Sequence, residues 1–227
     1  MFNLPSHTIV GTPFSTFTRS ITLGLRYKGI EYKQIATTPH SDVADKHHPF
    51  GMLPTLIIQQ VGRNDVRLCE SQAIARYIDR TVPLPSLDLA ADEFILAAIP
   101  EKMWEFVSLS GSQGFPAVEI NVVKYRVQAI DDGTPSDSEL RASIRDGVEE
   151  LKLFLARMEG LMAKEGYVYG PKLTWADFFL YPLLADLQAT PEGEILSERM
   201  LGWLEVMGEL DVVKATSPGT LAVGARP

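Results

Sequence analysis

The sequence predicts an α+β domain followed by an all-α helical domain, and three features of its patterning carry that prediction. Up to about residue 80, short apolar blocks and alternating stretches with the period of strands are interleaved with helical patterns. Beyond residue 86 the apolar residues recur three or four apart, the spacing of helices that bury one face. Between the two lies Thr81-Val82-Pro83-Leu84-Pro85-Ser86, short, proline-bearing and without period, as a domain boundary reads. The expected division is 1–82 for the first domain, 83–90 for a linker and 91–227 for the helical domain.

Thr8-Ile9-Val10 opens the first domain as a short buried strand. Gly11 and Pro13 end it, the first by backbone freedom and the second by lacking a donor N–H, so a helix begins near Ser15 and runs on through Ile21, Leu23 and Leu25. Ser15 therefore stands at a helix N-terminus, where unpaired N–H groups and the positive dipole end favour an anion such as a thiolate or carboxylate. Its residue type alone reads as an ordinary N-cap. Gly29 to Ile35 alternates like a half-buried strand, and Thr37 to His48, polar and punctuated by Pro39 and Pro49, has room for only a short helix. In Gly51-Met52-Leu53-Pro54-Thr55-Leu56-Ile57-Ile58 a proline directly precedes a strand, either as its first residue or in a cis turn. Either way Leu53 is pushed to an extended conformation, with peptide groups available to a ligand. Gly62 to Asp65 reads as a hairpin turn, and Glu70-Ser71 introduces a helix through Ile74, Tyr77 and Ile78.

In the second part, Leu87 to Ser110 is a long periodic segment interrupted at most at Pro100, and Val118 to Ile130 forms the next helix. A third is expected from Ser136 to Lys164, with Leu140, Ile144, Val148, Leu151, Leu155, Met158 and Leu161 as its buried stripe. Leu173-Thr174-Trp175-Ala176-Asp177-Phe178 opens a fourth with a capping box between Thr174 and Asp177. A last helical segment spans Glu192 to Leu210, and Thr216 to Pro227 is expected to be extended.

Composition narrows the partners. With 45% apolar residues and 227 in all, the chain has enough core to need no staples, and its single Cys69 forms no internal bridge and no Cys-x-x-Cys redox pair. Cys69 reads as a small buried hydrophobe. A net charge of −8 argues against nucleic acid or an anionic membrane as main partner, and no apolar run is long enough to span a bilayer. The expected setting is the cytoplasm. His7, His40, His47 and His48 form no metal-ligand spacing with carboxylates or Cys69, so no metal is expected.

Four short stretches, in this order and spacing, resemble a cytosolic glutathione transferase over nearly the whole chain. Pro13-Phe14-Ser15-Thr16-Phe17-Thr18-Arg19 is similar to the active-site segment of the phi class, and Pro49-Phe50-Gly51-Met52-Leu53-Pro54 to the turn before the family's cis-proline. Cys69-Glu70-Ser71-Gln72-Ala73-Ile74-Ala75-Arg76-Tyr77-Ile78 resembles its glutathione-binding turn, and Leu173 to Asp177 its capping box. The resemblance implies a thioredoxin-like first domain, glutathione as co-substrate, a hydrophobic small molecule as second substrate, and a homodimer. Ser15 would be the catalytic residue, donating its hydroxyl hydrogen to the glutathione sulfur rather than acting as nucleophile. Glu70 and Ser71 would hold the γ-glutamyl end, Leu53 the cysteinyl part by its main chain, Pro54 would shape that edge, and His40 would meet the glycine carboxylate. Here the pattern departs from the family: Ser41 stands where a lysine often follows, and Met52 where a polar residue is usual.

Phe14, Trp104, Phe106 and Phe115 are the candidates for an apolar second site, though aromatics at helical spacing equally read as core. Without the resemblance, Glu70 is a first-turn acidic residue, Ser71 a cap, and Arg19 a structural partner for a carboxylate. The expected function is conjugation of glutathione to hydrophobic electrophiles. The alternatives are a weakly catalytic or non-catalytic carrier (ligandin) of aromatic or lipophilic compounds, and a transferase-like interaction protein.

Overall fold

The computed structural model describes residues 6–60, 62–89 and 99–225; the end of the expected linker and much of the helix expected from Leu87 lie outside these. The first elements are β1 (Ser6–Val10), α1 (Thr16–Tyr27), β2 (Tyr32–Ile35), α2 (Asp42–His47), β3 (Thr55–Gln59), β4 (Val66–Leu68) and α3 (Ser71–Thr81). They form a four-stranded sheet in the order β2-β1-β3-β4, with β1 parallel to β2 and antiparallel to β3, and β3 antiparallel to β4. This mixed sheet with its helices is a thioredoxin-like domain. β1 has neighbours on both edges, and its residues from His7 to Val10 are buried on both faces, so its sequence does not alternate. Ile9, Val10 and Leu56 of the sheet are buried with Ile21, Leu23 and Leu25 of α1 and Ile74 and Ile78 of α3, at about 1.5–3 kcal/mol for each large side chain.

The C-terminal end of α1 is fixed by a buried cation. Lys28 pairs with Asp79 of α3 and donates from Nζ to the Val82 carbonyl at 2.9 Å, tying the helix to the chain as it leaves α3.

The chain divides into two compact units, residues 1–87 with 211–227, and residues 88–210. The second unit is helical: α4 (Pro100–Leu109), a π-helical stretch Ser110–Val123, α5 (Lys124–Asp132), α6 (Asp137–Ser143), α7 (Arg145–Glu159), α8 (Trp175–Gln188), a 3-10 turn Pro191–Ile195 and α9 (Glu198–Gly208). α10 (Asp211–Thr216) belongs to the first unit, where it packs on α1.

Several expectations are corrected here. Pro100 begins α4, at a first-turn position where its missing N–H costs nothing, and most of the segment expected ahead of it lies outside the described residues. The helix does not stop near Ser110 and restart at Val118. It widens to π geometry through Gly111, Gly114 and Pro116, and Gly114 lies so close to the Phe154 ring that a Cβ there would sit 2.7 Å from it. The stripe from Leu140 to Met158 is split at Ile144, whose φ and ψ of −94° and 4° end α6 and start α7. The segment after Thr216 is not extended but folds into hydrogen-bonded turns, with Thr220 and Leu221 buried.

The capping box forms. Asp177, fully buried, accepts from Thr174 N and Thr174 Oγ1 at 2.9 Å each, from Val168 N at 2.7 Å and from Trp203 Nε1 at 3.0 Å. Burial pushes its carboxyl pKa up, and these donors offset only part of that rise.

Candidate active site

Strand register decides which loops share an end of the sheet. Val10 is paired with Ile35 of β2 and with Thr55 of β3, and Leu56 is paired with Leu68 of β4. The residues just after Val10, just after Ile35, just before Thr55 and just after Leu68 therefore leave the sheet at the same end. These are the loop from Gly11 to Ser15, the segment leading to His40, the pair Leu53-Pro54, and Glu70-Ser71. Six of the expected site residues thus lie on segments that leave the sheet at one end.

Ser15 is the N-cap of α1, half-buried, with φ −76° and ψ 120°. Its Oγ accepts from Thr18 N at 3.4 Å, and among the described residues its hydroxyl hydrogen has no acceptor. The loop before it is held from several directions. Gly11 N donates to Ile35 O at 2.9 Å, Gln34 Nε2 donates to Gly11 O at 2.8 Å, and Ser15 N closes a turn onto Thr12 O at 3.0 Å. Gly11 must be glycine, because its φ of 154° and the Thr18 side chain against it leave no place for a Cβ.

The Leu53-Pro54 peptide is cis, and the Leu53 N–H and C=O enter no backbone hydrogen bond among the described residues. The turn ahead is organised by His48, buried, whose Nδ1 accepts from Phe50 N at 3.0 Å, and by His40 N, which donates to Gly51 O at 2.7 Å. His40 is exposed, with φ 56°.

Glu70, not Ser71, is the N-cap of α3. It adopts φ 66°, a left-handed conformation unusual for glutamate, and makes no side-chain cap bond, so the first N–H groups of α3 are not capped by a side chain. Its exposed carboxylate is bonded to no side chain among the described residues. An uncapped helix start beside a held-out carboxylate suits a ligand end that carries both an anion and an ammonium.

Cys69 is half-buried rather than fully buried, with Sγ 3.8 Å from Thr55 Oγ1 and from the His47 carbonyl. Arg19, one turn into α1 and buried, donates from Nη2 to Ser217 Oγ at 3.3 Å, a hydroxyl of the C-terminal segment. Of the aromatic candidates, Phe14 is half-buried in the first unit. In the second, Trp104 and Phe106 are buried, Phe106 lying edge-on to Tyr169 at 6.2 Å, and Phe115 is half-buried with Lys124 Nζ 5.0 Å above its ring. Sequence reading missed Gln34 as the tether of Gly11; in an alternating strand it looked like one more outward polar position. Among the described residues no group of three or more His, Cys, Asp or Glu is placed to hold a metal, and no helix is long and apolar enough to cross a membrane.

Residues 9–86 match the family model of the glutathione S-transferase N-terminal domain, and residues 141–210 that of the glutathione S-transferase C-terminal domain, together more than half of the chain. The chain belongs to the glutathione S-transferase family, and its two domains are those of a glutathione transferase. No curated protein sequence matches it. Its fold is similar to glutathione transferase F7 from Populus trichocarpa, at 22% identity and a TM-score of 0.72, covering 93% of this chain and 97% of that one. It is also similar to glutathione S-transferase-I bound with lactoylglutathione (21%, TM-score 0.72, 94% and 98% covered). A third similar structure is FzlA from C. crescentus (16%, TM-score 0.75, 93% and 91% covered).

Proposed function

We propose that this glutathione transferase activates glutathione through the Ser15 hydroxyl and conjugates it to hydrophobic electrophiles, in the manner of the phi class. The observation that carries the reading is a convergence. An uncommitted hydroxyl at the start of α1, an unpaired peptide at Leu53 and an uncapped helix start at Glu70-Ser71 all lie at one end of one sheet.

Each part has a role. Leu53 pairs its N–H and C=O with the cysteinyl peptide like an added strand, and Pro54 shapes that edge. The N–H groups at the start of α3 and the Ser71 hydroxyl take the γ-glutamyl carboxylate, while the Glu70 carboxylate takes its ammonium. His40 stands near the glycine end. Ser15 donates to the sulfur, and with the N-terminal dipole of α1 it favours thiolate over thiol. A free thiol titrates near pH 8.5, so lowering it by roughly two units is worth about 2.7 kcal/mol and makes the thiolate dominant at neutral pH. The carbon–sulfur bond then forms as a halide leaves an aromatic carbon or an epoxide carbon–oxygen bond opens, and the thiol proton goes to solvent. Phe14 and Phe115, both half-buried, are the aromatic candidates with most surface to offer the electrophile; Trp104 and Phe106 offer less.

We place the protein in the cytoplasm as a homodimer. Phe50, 76% exposed, and Met52, 48% exposed, give the turn before Leu53 an apolar patch that a second copy would cover.

The test is calorimetric titration with glutathione, followed by turnover of a panel of halogenated aromatics, epoxides and isothiocyanates. Binding with turnover that depends on Ser15 supports the transferase. Tight binding of aromatic ligands without turnover would make the chain a carrier, and no binding of glutathione at several millimolar would remove both.

A further inference from the structure

The loop that carries Ser15 is also touched by residues from the far end of the chain. Arg19 N donates to Ser15 O at 2.9 Å, and the Arg19 side chain, 2% exposed, reaches Ser217 Oγ, 198 positions away in sequence. Gly219, at φ 81°, lies against the Pro13 ring, where a Cβ would fall 3.2 Å from Pro13 Cβ.

The segment making these contacts is hydrogen-bonded to itself and to α10. Ser217 Oγ donates to Val213 O at 2.8 Å, Thr220 Oγ1 to Ser217 O at 2.7 Å, and Ala225 N to Thr220 O at 3.0 Å. Thr220 and Leu221 are buried, and α10 just before them rests on α1. The buried side chains of this segment are close-packed, so a shift in it is felt by what it touches. The Gly11–Ser15 loop is thus held by β2, through Ile35 and Gln34, and by the C-terminal segment, through Pro13.

We infer that residues 217–221 are a strap that positions Ser15, with Ser217 acting through Arg19 and Gly219 through Pro13. The inference rests on the reading of Ser15 as the donor to sulfur. A hydroxyl–sulfur hydrogen bond weakens steeply with angle, and a group misplaced by a fraction of an ångström gives up much of its effect on the reacting atom. The strap sets that placement without touching the ligand, so Ser217, Gly219, Arg19 and Pro13 are positioning residues.

The experiment compares Ser217→Ala, Ser217→Thr and Gly219→Ala, and Ser217→Ala again in a Ser15→Ala background. Glutathione and 1-chloro-2,4-dinitrobenzene serve as probes. Ser217→Ala and Gly219→Ala should lower kcat/KM at neutral pH by roughly 5- to 20-fold and move its pH profile upward, with glutathione Kd changed by less than about twofold. Ser217→Thr should recover most of the loss. In the Ser15→Ala background Ser217→Ala should add almost nothing, because its effect runs through the missing hydroxyl. Where Gly219→Ala does not fold, Ser217→Ala, which removes one oxygen and adds no bulk, carries the test. An equal loss with and without Ser15, or a loss seen in glutathione Kd with the profile unmoved, would overturn the strap while leaving Ser15 in place. A profile unmoved by Ser15→Ala alone would instead remove the reading of Ser15, and the strap with it.

Discussion

The Thr18 amide donates to Ser15 Oγ at 3.4 Å, a long bond that occupies an oxygen lone pair and leaves the hydroxyl hydrogen to point elsewhere. Capping a helix and donating to a sulfur are therefore compatible tasks for one side chain. Ser15→Ala should raise the pKa of bound glutathione by about one to two units and cut conjugation at neutral pH by roughly 3- to 25-fold, the fall in thiolate fraction from a starting pKa about two units below 8.5. Because the cap bond is long, the stability loss should sit near the low end of the usual range, about 0.5 kcal/mol. A pH–rate profile with urea unfolding measures both, and an unmoved profile would mean that another group activates the sulfur.

Glu70 holds a positive φ, which costs glycine less than glutamate. Glu70→Gly removes about 1 kcal/mol of backbone cost but loosens the unfolded chain by a similar amount, so the melting temperature should hardly change. Glutathione affinity should nonetheless fall by roughly tenfold or more with the lost ammonium partner. Glu70→Ala keeps the strained backbone and should lose the same affinity, which calorimetry on both variants checks. Unchanged affinity in both would remove Glu70 from the site.

Asp177 satisfies more than a helix cap. As a cap alone, its loss would cost about 0.5–2 kcal/mol. In the structure Asp177→Ala would also strand the Val168 amide and the Trp203 indole, both bonded to it. A loss of about 3–5 kcal/mol in urea unfolding is expected, with the sulfur pKa unmoved in whatever fraction folds.

His7 gives a pH signature. Its ring is buried, shares a 3.0 Å hydrogen bond with the Tyr77 hydroxyl, and is held below its usual pKa by desolvation. The unfolded chain takes up this proton near pH 6.5 and the folded chain only at lower pH. Stability from His7 is thus complete above about pH 6.5 and is lost as the pH falls from there through the folded value. His47, shifted the same way by burial and by Arg67 and Lys46, adds a parallel slope. The readout is therefore the difference in stability between wild type and His7→Gln across this range, which should narrow on acidification.

Phe50 offers the test of assembly. If a second copy covers it, Phe50→Ser should shift sedimentation from twice the chain mass of 25.1 kDa toward the monomer. A wild-type monomer would end the dimer proposal.

What could be read from the sequence followed the strength of the local signal. The β-α-β and β-β-α order was legible because alternating strands and a Gly-x-Pro break state their period within a few residues. The capping box was legible because its two members stand three apart. Positions set by tertiary contact were not. The left-handed Glu70 has no sequence signature, since glutamate seldom adopts it. The break at Ile144 keeps the apolar stripe in phase, so periodicity passes over it. Gly114 and Pro116 look like a helix end until the Phe154 ring against Gly114 and the wider turn are seen. The C-terminal segment takes its fold from α1, on which α10 rests, and α1 lies nearly the whole chain away.

That distance has a consequence for biosynthesis. The N-terminal unit includes residues 211–227, so it cannot be completed when the ribosome finishes residue 87. At typical synthesis rates of about 5–20 residues per second, the sheet and α1 wait on the order of ten seconds or more for α10 and the strap. During that interval the face of α1 that α10 will cover is open to chaperones. A nascent chain stalled near Leu210 should hold a domain with its strands paired but Arg19 and Pro13 still without their contacts to Ser217 and Gly219.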